Sequence, residues 1–297
     1  MPNICIIGSD SFIATQFYNS INSKDAVKLF SRQSSGKTNE IVKDLFSITL
    51  EDFNDSEVVI NFAAIVHQPK LNDEQLYAKI NTDLPFHLAM EAKKAGVKHF
   101  IQMSTIAVYG SVASINEKSI EQPNNLYGAS KLAADNALLA MQDEDFNVSN
   151  IRPPMVYGGG KAPGNLLKLI QFAQKGIPLP FKGVNNARDF IHVLNLVQAL
   201  NSVIENRLYG VIIPTDKNPV STETIINLIK KYSSKKVRQI AIPHFVHSII
   251  KSLIPSIYNK VFGNLKVECN LPSVIYKPKF TLEDGIREMM KALIDKV

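Results

Sequence analysis

A phenol and an ammonium lie four residues apart at Tyr127 and Lys131, a short distance downstream of two hydroxyls, Ser104 and Thr105. Leucine and alanine spacing predicts a helix over 126–141, which places the pair on one face with Cβ atoms about 5–6 Å apart. A neighbouring positive charge lowers the pKa of a phenol from its usual value near 10. The group is therefore a candidate proton-transfer centre. The alternative is a surface tyrosine beside a solvated lysine.

Composition limits the classes of protein. The chain has 297 residues, 45% of them apolar, which allows one large core or two unequal lobes. Its net charge of +6 is spread along the sequence. This charge favours a small anionic ligand such as a nucleotide diphosphate, and we expect no nucleic-acid partner because no aromatic-studded basic module accompanies it. Cys5 and Cys269 supply neither a disulfide framework nor a metal site, so we expect no metal.

Two segments bear on location. The amino terminus enters a strand at once without a leader pattern, so we expect a cytoplasmic protein. The stretch 244–262 is apolar, yet His247, Lys251, Pro255 and Lys260 interrupt it. We therefore expect no integral membrane span and interpret the stretch as an amphipathic helical pair, with interfacial membrane contact as the alternative.

Short apolar runs alternate with helical patterns from the beginning of the chain. This alternation predicts right-handed crossovers and an α/β fold with a doubly wound parallel sheet of the Rossmann type. The predicted strands are 3–7, 27–30, 58–62, 97–103 and 148–151, and the predicted helices are 12–21, 74–95 and 126–141. Ligands of such sheets bind at the carboxyl ends of the strands.

The loop after the first predicted strand carries the first such candidate. Gly8 at the turn and a helix beginning near Phe12 would direct free backbone N–H groups at a pyrophosphate. Ala14 is small enough for close packing of helix on sheet, whereas Ser11 puts a side chain where the backbone should approach phosphate. An ordinary strand-to-helix turn is the alternative.

The ends of the next strands add further candidates. Arg32, with Ser31, stands where a site preferring NAD would carry an acidic residue, and it could accept the 2′-phosphate of NADP. A solvated arginine is the alternative. Asp44 and Leu45 could bracket an adenine, and the small side chains of 61–64 leave room for a flat cofactor.

Taken together, these motifs resemble the extended short-chain dehydrogenase/reductase family, in its nucleotide-sugar epimerase/dehydratase/reductase branch. The resemblance runs nearly end to end and includes Gly8-xx-Ser11-xx-Ala14, Asp44-Leu45, Asn61-Phe62-Ala63-Ala64, Asn81, Ser104-Thr105, Val108-Tyr109-Gly110, Tyr127-xxx-Lys131, Arg152-Pro153-Pro154, Tyr157-Gly158, Arg188-Asp189-Phe190-Ile191-His192-Val193 and the tail 276–286.

The resemblance implies roles for particular residues. Tyr127 would be the catalytic acid/base, Lys131 its electrostatic partner and a ligand of the nicotinamide ribose, and Thr105 the hydroxyl that holds the reacting oxygen. Arg188 would bind the substrate diphosphate, with a salt bridge to Asp189 or another carboxylate as the alternative. Asn165 would also contact the substrate. The coenzyme residues would be Gly8, Ser11, Phe12, Ile13, Ser31, Arg32, Asp44, Leu45, Phe62, Ala63, Ala64, Asn81, Tyr127, Lys131 and Pro154.

The resemblance also implies an organisation. We expect a dinucleotide-binding domain at 1–160 with a return segment at about 187–215, and a smaller, mostly C-terminal substrate-binding lobe at 161–186 and 216–297. We expect NADP(H) as the preferred coenzyme, with NAD(H) as the alternative. Relatives commonly form homodimers through the helices that follow the fourth and fifth strands, so we expect a homodimer here.

The implied reaction is hydride transfer at C4 of a UDP-hexose or UDP-N-acetylhexosamine, by a 4-epimerase or a 4-ketoreductase. Both reactions use one site, so the motif around Tyr127 does not separate them. Arg32 favours a reductase because NADPH serves reductive biosynthesis. Two other classes stay open. Ser11 favours a catalytically silent NADP-binding sensor or scaffold, and 244–262 favours a membrane-associated assembly subunit.

Overall fold

A computed structural model describes residues 2–66, 72–160, 162–253 and 255–295. The strands are β1 (Ile4–Ile7), β2 (Val27–Ser31), β3 (Glu40–Val42), β4 (Val58–Asn61), β5 (His99–Met103), β6 (Ser114–Ile115), β7 (Asn147–Ile151), β8 (Met155–Tyr157), β9 (Phe190–His192), β10 (Gly210–Ile212) and β11 (Lys266–Val267). The helices are α1 (Phe12–Ser20), α2 (Glu74–Ala78), α3 (Leu84–Lys94), α4 (Leu126–Leu139), α5 (Asn165–Gln174), α6 (Val193–Glu205), α7 (Thr222–Tyr232), α8 (His244–Leu253), α9 (Pro255–Phe262) and α10 (Leu282–Ile294).

The chain divides into two compact units. The first comprises Met1–Gly110, Ile120–Arg152 and Ala199–Ile213, and the second comprises Ser111–Ser119, Pro153–Gln198 and Pro214–Val297. The division falls inside α6. The functional boundaries expected from the sequence, a coenzyme domain and a substrate lobe, stay a prediction.

The first unit contains a parallel sheet of seven strands within the described residues, in the order β10-β7-β5-β4-β1-β2-β3. The chain moves outward from β1 to β3, then returns to place β4 on the other side of β1. This reversal is the topological switch point of a doubly wound sheet, where ligands bind at the carboxyl ends of the strands. The predicted Rossmann-type fold is confirmed.

Helix packing buries the apolar residues of the sheet. α3 contributes Leu84, Leu88 and Ala92 to a fully buried cluster that also contains Cys5 and Phe100 of the sheet. A buried leucine contributes about 1.5–3 kcal/mol relative to an exposed one, so this contact fixes α3 against the strands. Cys5 is a buried thiol whose pKa is raised by burial, as expected for a structural cysteine.

The predicted helix 74–95 is divided by a π-helical turn at Lys79–Asp83 between α2 and α3. A π turn inserts an extra residue and rotates the side chains in it, and such turns are frequent at functional sites. Pro85 lies in the first turn of α3, directly after the π turn, where it supplies no backbone N–H to the helical hydrogen bonds. The turn carries Asn81, one of the predicted coenzyme residues.

The second unit has two small parallel sheets, β8 with β9 and β6 with β11. α7 packs with α10, which begins at a capping box formed by Thr281 and Asp284. α8 packs with α9, which confirms the helical pair predicted for 244–262. None of the helices in the described ranges combines the length and apolarity needed to cross a bilayer.

Candidate active site

Two elements of the first unit bring Thr105 and Tyr127 together. Thr105 follows β5 and begins a 3-10 turn, where its side-chain oxygen accepts a hydrogen bond from Ala107 N at 3.1 Å. Tyr127 lies in the first turn of α4. A Cβ at Gly128 would lie 2.6 Å from the carbonyl oxygen of Ala107. A larger residue at 128 would therefore push α4 away from the turn that carries Thr105.

The protonation state of Tyr127 follows from its surroundings. Burial raises the pKa of this phenol to about 12, while a hydrogen bond from the Thr105 side chain lowers it and the charge of Asp135 raises it. The predicted lowering of the pKa by Lys131 is wrong for the protein alone, because desolvation outweighs the other effects. At neutral pH Tyr127 is therefore a neutral phenol, the form that donates a proton.

Lys131 lies one turn after Tyr127, and only 1% of its surface is exposed to solvent. Its Nζ has no hydrogen-bond partner in the part of the chain that the structure describes. Burial lowers its pKa to about 8, an effect that Asp135 opposes. A buried amine without a partner is costly unless a ligand supplies one. This orphaned group fits a ligand hydroxyl such as those of a coenzyme ribose.

A buried ionic network supports this helix face. Arg152 Nε lies 2.8 Å from Asp135 Oδ2, which also accepts a hydrogen bond from Ser104 Oγ at 2.8 Å. The Arg152 Nη1 group donates to Tyr109 Oη at 2.8 Å and to Glu121 Oε1 at 2.7 Å. The network ties α4 to the ends of β5 and β7, and thereby holds the helix that carries Tyr127 and Lys131.

The sequence contained a signal for Asp135 that the motif reasoning missed. Asp135 follows Lys131 by four residues, so both share one face of α4 in a stretch otherwise rich in leucine and alanine. A lone carboxylate on the face of a predicted catalytic helix requires a partner when buried. Arg152 belongs to the motif Arg152-Pro153-Pro154, and the tertiary fold shows it to be that partner.

A cavity of about 270 Å³ opens in the first unit where β1, β2 and β4 end. Its lining includes predicted coenzyme residues from four separate segments of the chain: Gly8, Ser11, Arg32, Asp44, Leu45, Ala63 and Ala64. The remaining lining residues are Asp10, Phe46, Lys79, Ile80 and Leu84. The cavity lies at the switch point of the sheet, the position where a doubly wound fold binds a dinucleotide.

The loop after β1 is shaped for a ligand. Gly8 has φ +72°, and a Cβ there would lie 2.7 Å from the backbone nitrogen of Ala63. Ser11 does not fill the cradle as the sequence suggested it could, because its Oγ turns back to accept the N–H of Ala14 at 3.3 Å as the N-cap of α1. The residues present therefore fit a pyrophosphate at the amino terminus of α1.

Glu40 at the beginning of β3 is a site residue that sequence reasoning missed. Its carboxylate accepts hydrogen bonds from Ser9 Oγ at 2.9 Å, Ser31 Oγ at 3.1 Å, and both N and Oγ of Ser35 at 2.7 Å. Lys37 Nζ donates to the carbonyl of Ser9 at 2.8 Å. These bonds fasten the β2–β3 loop, which begins at the predicted NADP residues, to the loop after β1.

The bonds at Glu40 should give a pH-dependent contribution to stability. Partial burial opposes ionisation, but the hydrogen bonds from Ser35, Ser9 and Ser31 hold the pKa of Glu40 at about 2. Because the folded pKa lies below the unfolded value near 4.3, we expect Glu40→Gln to be less stable than the parent above about pH 5. The difference should disappear as pH falls toward 2. Urea unfolding of both proteins across this range measures it, and Glu117→Gln at an exposed site is the control. A pH-independent difference would contradict the assignment.

The other predicted coenzyme residues of the first unit lie outside the lining of this cavity. Phe12 and Ile13 begin α1, and Phe62 is buried after β4. Asn81 accepts a hydrogen bond from Ile65 N at 2.9 Å and donates to Ser130 Oγ at 3.1 Å. Asn81 therefore links the loop after β4 to α4.

The remaining predicted residues belong to the second unit. Asn165 is the first residue of α5, and Pro154 precedes β8. Arg188 Nη1 donates to the carbonyl oxygens of Gly263 at 2.8 Å and Asn259 at 3.3 Å, and burial lowers its pKa. The adjacent Asp189 does not pair with it and accepts instead from Val267 N at 2.8 Å.

Arg188 also makes no ion pair with any other carboxylate among the described residues. The alternative of a structural salt bridge is therefore wrong within that part of the chain. A half-buried guanidinium without a carboxylate partner is suited to an anionic ligand.

Comparison with known proteins identifies the same family that the site residues indicate. The model of the NAD dependent epimerase/dehydratase family matches residues 4–212. UDP-glucose 4-epimerase of Vibrio cholerae is 28% identical, over 99% of this chain and 96% of the relative. N-acetyl-alpha-D-glucosaminyl-diphospho-ditrans,octacis-undecaprenol 4-epimerase of Escherichia coli O157:H7 is 22% identical, over 82% of this chain and 76% of the relative.

The fold is shared with solved structures. The UDP-glucuronic acid 4-epimerase from Bacillus cereus, solved in complex with NAD, superposes with a TM-score of 0.79 and 19% identity, over 99% of both chains. The family model covers most of the chain, including both the cavity loops and the Tyr127–Lys131 helix. This chain therefore belongs to the NAD dependent epimerase/dehydratase family, among the nucleotide-sugar enzymes of the extended short-chain dehydrogenase/reductase type.

Proposed function

We propose that this protein is a nucleotide-sugar 4-epimerase that acts on a UDP-hexose or UDP-N-acetylhexosamine. The observation that carries the proposal is the hydrogen-bonded pair of Thr105 and Tyr127 one turn from the Lys131 amine, which has no partner among the described residues. The names of the Vibrio and Escherichia relatives both specify 4-epimerisation of a hexose joined to a diphosphate. This common element supports the reaction at C4, and the name of the Vibrio relative supports a UDP-linked sugar.

The residues at the centre suit a proton transfer at the C4 oxygen of the sugar. Thr105 would hold this oxygen by its hydroxyl. Tyr127 is a neutral phenol in the protein alone, but it must be a phenolate to accept the proton when the sugar is oxidised, and it would return that proton on reduction. The nicotinamide coenzyme, when bound, supplies reversible hydride acceptance at the neighbouring carbon. Lys131 would bond the coenzyme ribose and, as a cation, favour the phenolate form of Tyr127 that the oxidation step requires.

The coenzyme would lie along the cavity in the first unit. Gly8 and the N-terminus of α1 would hold the pyrophosphate, and Asp44 with Leu45 would bracket the adenine. Arg32 in the lining supports the finer proposal that NADP(H) is preferred, through a charge-assisted bond to the 2′-phosphate. The carboxylate of Glu40, which accepts a hydrogen bond from Ser31 Oγ, argues against a preference for NADP(H), because it would repel the 2′-phosphate.

The substrate diphosphate would be bound by Arg188, with Asn165 as a further contact. The two carbonyl contacts of Arg188 orient the guanidinium without neutralising it.

The homodimer stays a proposal. Phe86 and Met90 support it, because these large apolar side chains are exposed one turn apart on α3. A 4-ketoreductase is the second candidate, favoured by Arg32.

We expect the purified enzyme to interconvert UDP-glucose with UDP-galactose, or the corresponding N-acetylhexosamine pair, with no net change in reduced-nicotinamide absorbance. The reason is that an epimerase returns to the sugar the hydride that it removes. Chromatography of the products with added NAD or NADP measures the reaction and the coenzyme preference. Consumption of NADPH equal to the amount of a 4-keto sugar would instead establish the reductase. Coenzyme binding without turnover of any such sugar would contradict both and favour the silent sensor or scaffold.

A further inference from the structure

One helix of the second unit presents large apolar side chains to solvent. Phe245, Ile249 and Leu253 are 67%, 52% and 75% exposed, and they recur every fourth residue along α8. Four-residue spacing places them on one face of the helix. Three such residues in line form a continuous apolar surface, unlike the single exposed hydrophobic residues that are normal on soluble proteins. We call this surface the α8 stripe.

The other side of α8 is already occupied. His247 packs edge-on against Tyr258 and Phe262 of α9, with ring centroids 5.8 and 5.0 Å apart. This contact fixes the rotation of α8, so the stripe faces outward because the opposite face is used for packing. Within the described residues, the exposed fractions of the stripe show that no element of the second unit covers it.

The surrounding sequence carries charge of one sign. From 224 to 267 the chain has eight lysine and arginine residues and no aspartate or glutamate. Lys235, Lys236 and Arg238 are exposed just before α8, and Lys251 is exposed within it. Ile240, 51% exposed, adds an apolar side chain next to Arg238. The rest of the chain has a net charge of −2, since the whole chain is +6 and this stretch is +8.

We propose that the α8 stripe and its flanking basic residues dock the protein on an anionic lipid bilayer, with α8 lying in the interface plane. Apolar residues on one side of a helix with basic residues around them are typical of helices that insert shallowly between headgroups. Each lysine or arginine near an anionic leaflet adds attraction that decreases within a Debye length. The inference stands independently of the proposed reaction.

The charge distribution favours a bilayer over a second copy of the chain. A two-fold dimer through the α8 stripe would bring two copies of the basic stretch 224–267 towards each other, and like charges would weaken it. No helix in the described ranges is both long and apolar enough to span a bilayer, so the contact proposed here is attachment at the surface.

Sedimentation with vesicles tests the proposal. We expect the full-length protein to pellet with vesicles that contain one-third phosphatidylglycerol in phosphatidylcholine, and to remain in solution with phosphatidylcholine alone. Phe245→Ser combined with Leu253→Ser should weaken binding to the anionic vesicles by about tenfold or more, because it removes apolar area that the bilayer would otherwise bury. Lys235→Glu combined with Lys236→Glu should weaken it by about tenfold or more, and added salt should do the same.

Matched variants separate this effect from general changes of the surface. Ile120→Ser removes an apolar side chain that is 80% exposed outside the stripe, and Lys118→Glu reverses an exposed charge outside the basic stretch. Both should bind the vesicles as the parent does, and an unchanged urea midpoint in all variants confirms folding. No pelleting of the parent with anionic vesicles would overturn the proposal. Parent-like binding by the double serine variant would also overturn it, as would a dimer in solution that the serine changes dissociate.

Discussion

Tyr127→Phe should lower kcat by about 10³-fold while leaving coenzyme affinity within about twofold of the parent, because positioned acid/base groups contribute about 10²–10⁴-fold. The change removes only the oxygen that Thr105 contacts and keeps the ring in the first turn of α4. Burial, which raises the pKa of Tyr127 to about 12, makes the parent a proton donor at neutral pH. Steady-state kinetics of epimerisation and a fluorescence titration with the coenzyme measure the two quantities.

A second tyrosine supplies the control for this prediction. Tyr209→Phe removes the same atom from a partly exposed residue that meets the ring of His99 edge-on at 5.0 Å. It should keep kcat near that of the parent. If Tyr127→Phe retained more than a tenth of the activity, another group would have to move the proton. A proportional loss of coenzyme affinity would instead indicate a binding role.

Arg152→Met should destabilise the first unit by about 3–5 kcal/mol, because it leaves Asp135 buried without its countercharge. Both side chains are almost completely inaccessible, and Arg152 Nε lies 2.8 Å from the carboxylate. Burial already raises the pKa of Asp135, and the guanidinium opposes that shift. Urea denaturation followed by fluorescence or circular dichroism measures the loss as a lower transition midpoint.

Two further variants test the cause of that loss. Arg287→Met breaks an exposed pair with Asp284 at 2.6 Å and should cost at most about 1 kcal/mol. Combining Arg152→Met with Asp135→Leu should recover most of the stability, because neither member of the Arg152–Asp135 pair then stays buried without the other. If the double variant were as unstable as Arg152→Met alone, the loss would come from packing and from the other Arg152 partners, Tyr109 and Glu121.

The sequence was sufficient for the parts of this protein that repeat at fixed spacing. Alternating strands and helices predict the doubly wound sheet, because side-chain periodicity reports which face of each element is buried. Gly8, Arg32, Asp44 and Ala63 could be placed at one cavity in advance, since the carboxyl ends of parallel strands meet at one edge of the sheet. The helical pair of 244–262 also followed from local pattern.

Contacts between residues far apart in sequence could not be predicted in this way. Glu40 reaches Ser9, and Asp135 reaches Arg152, only after the chain has folded, and neither pairing has a local signature. The pKa of Tyr127 depends on desolvation, which no spacing reveals; the sequence alone indicated a lowered value and the fold raises it. The sequence thus determined the sheet and the residue types of the proposed centre. Tertiary structure decided their charge states, partners and exposure, because those depend on the distance to water and to neighbours brought together by folding.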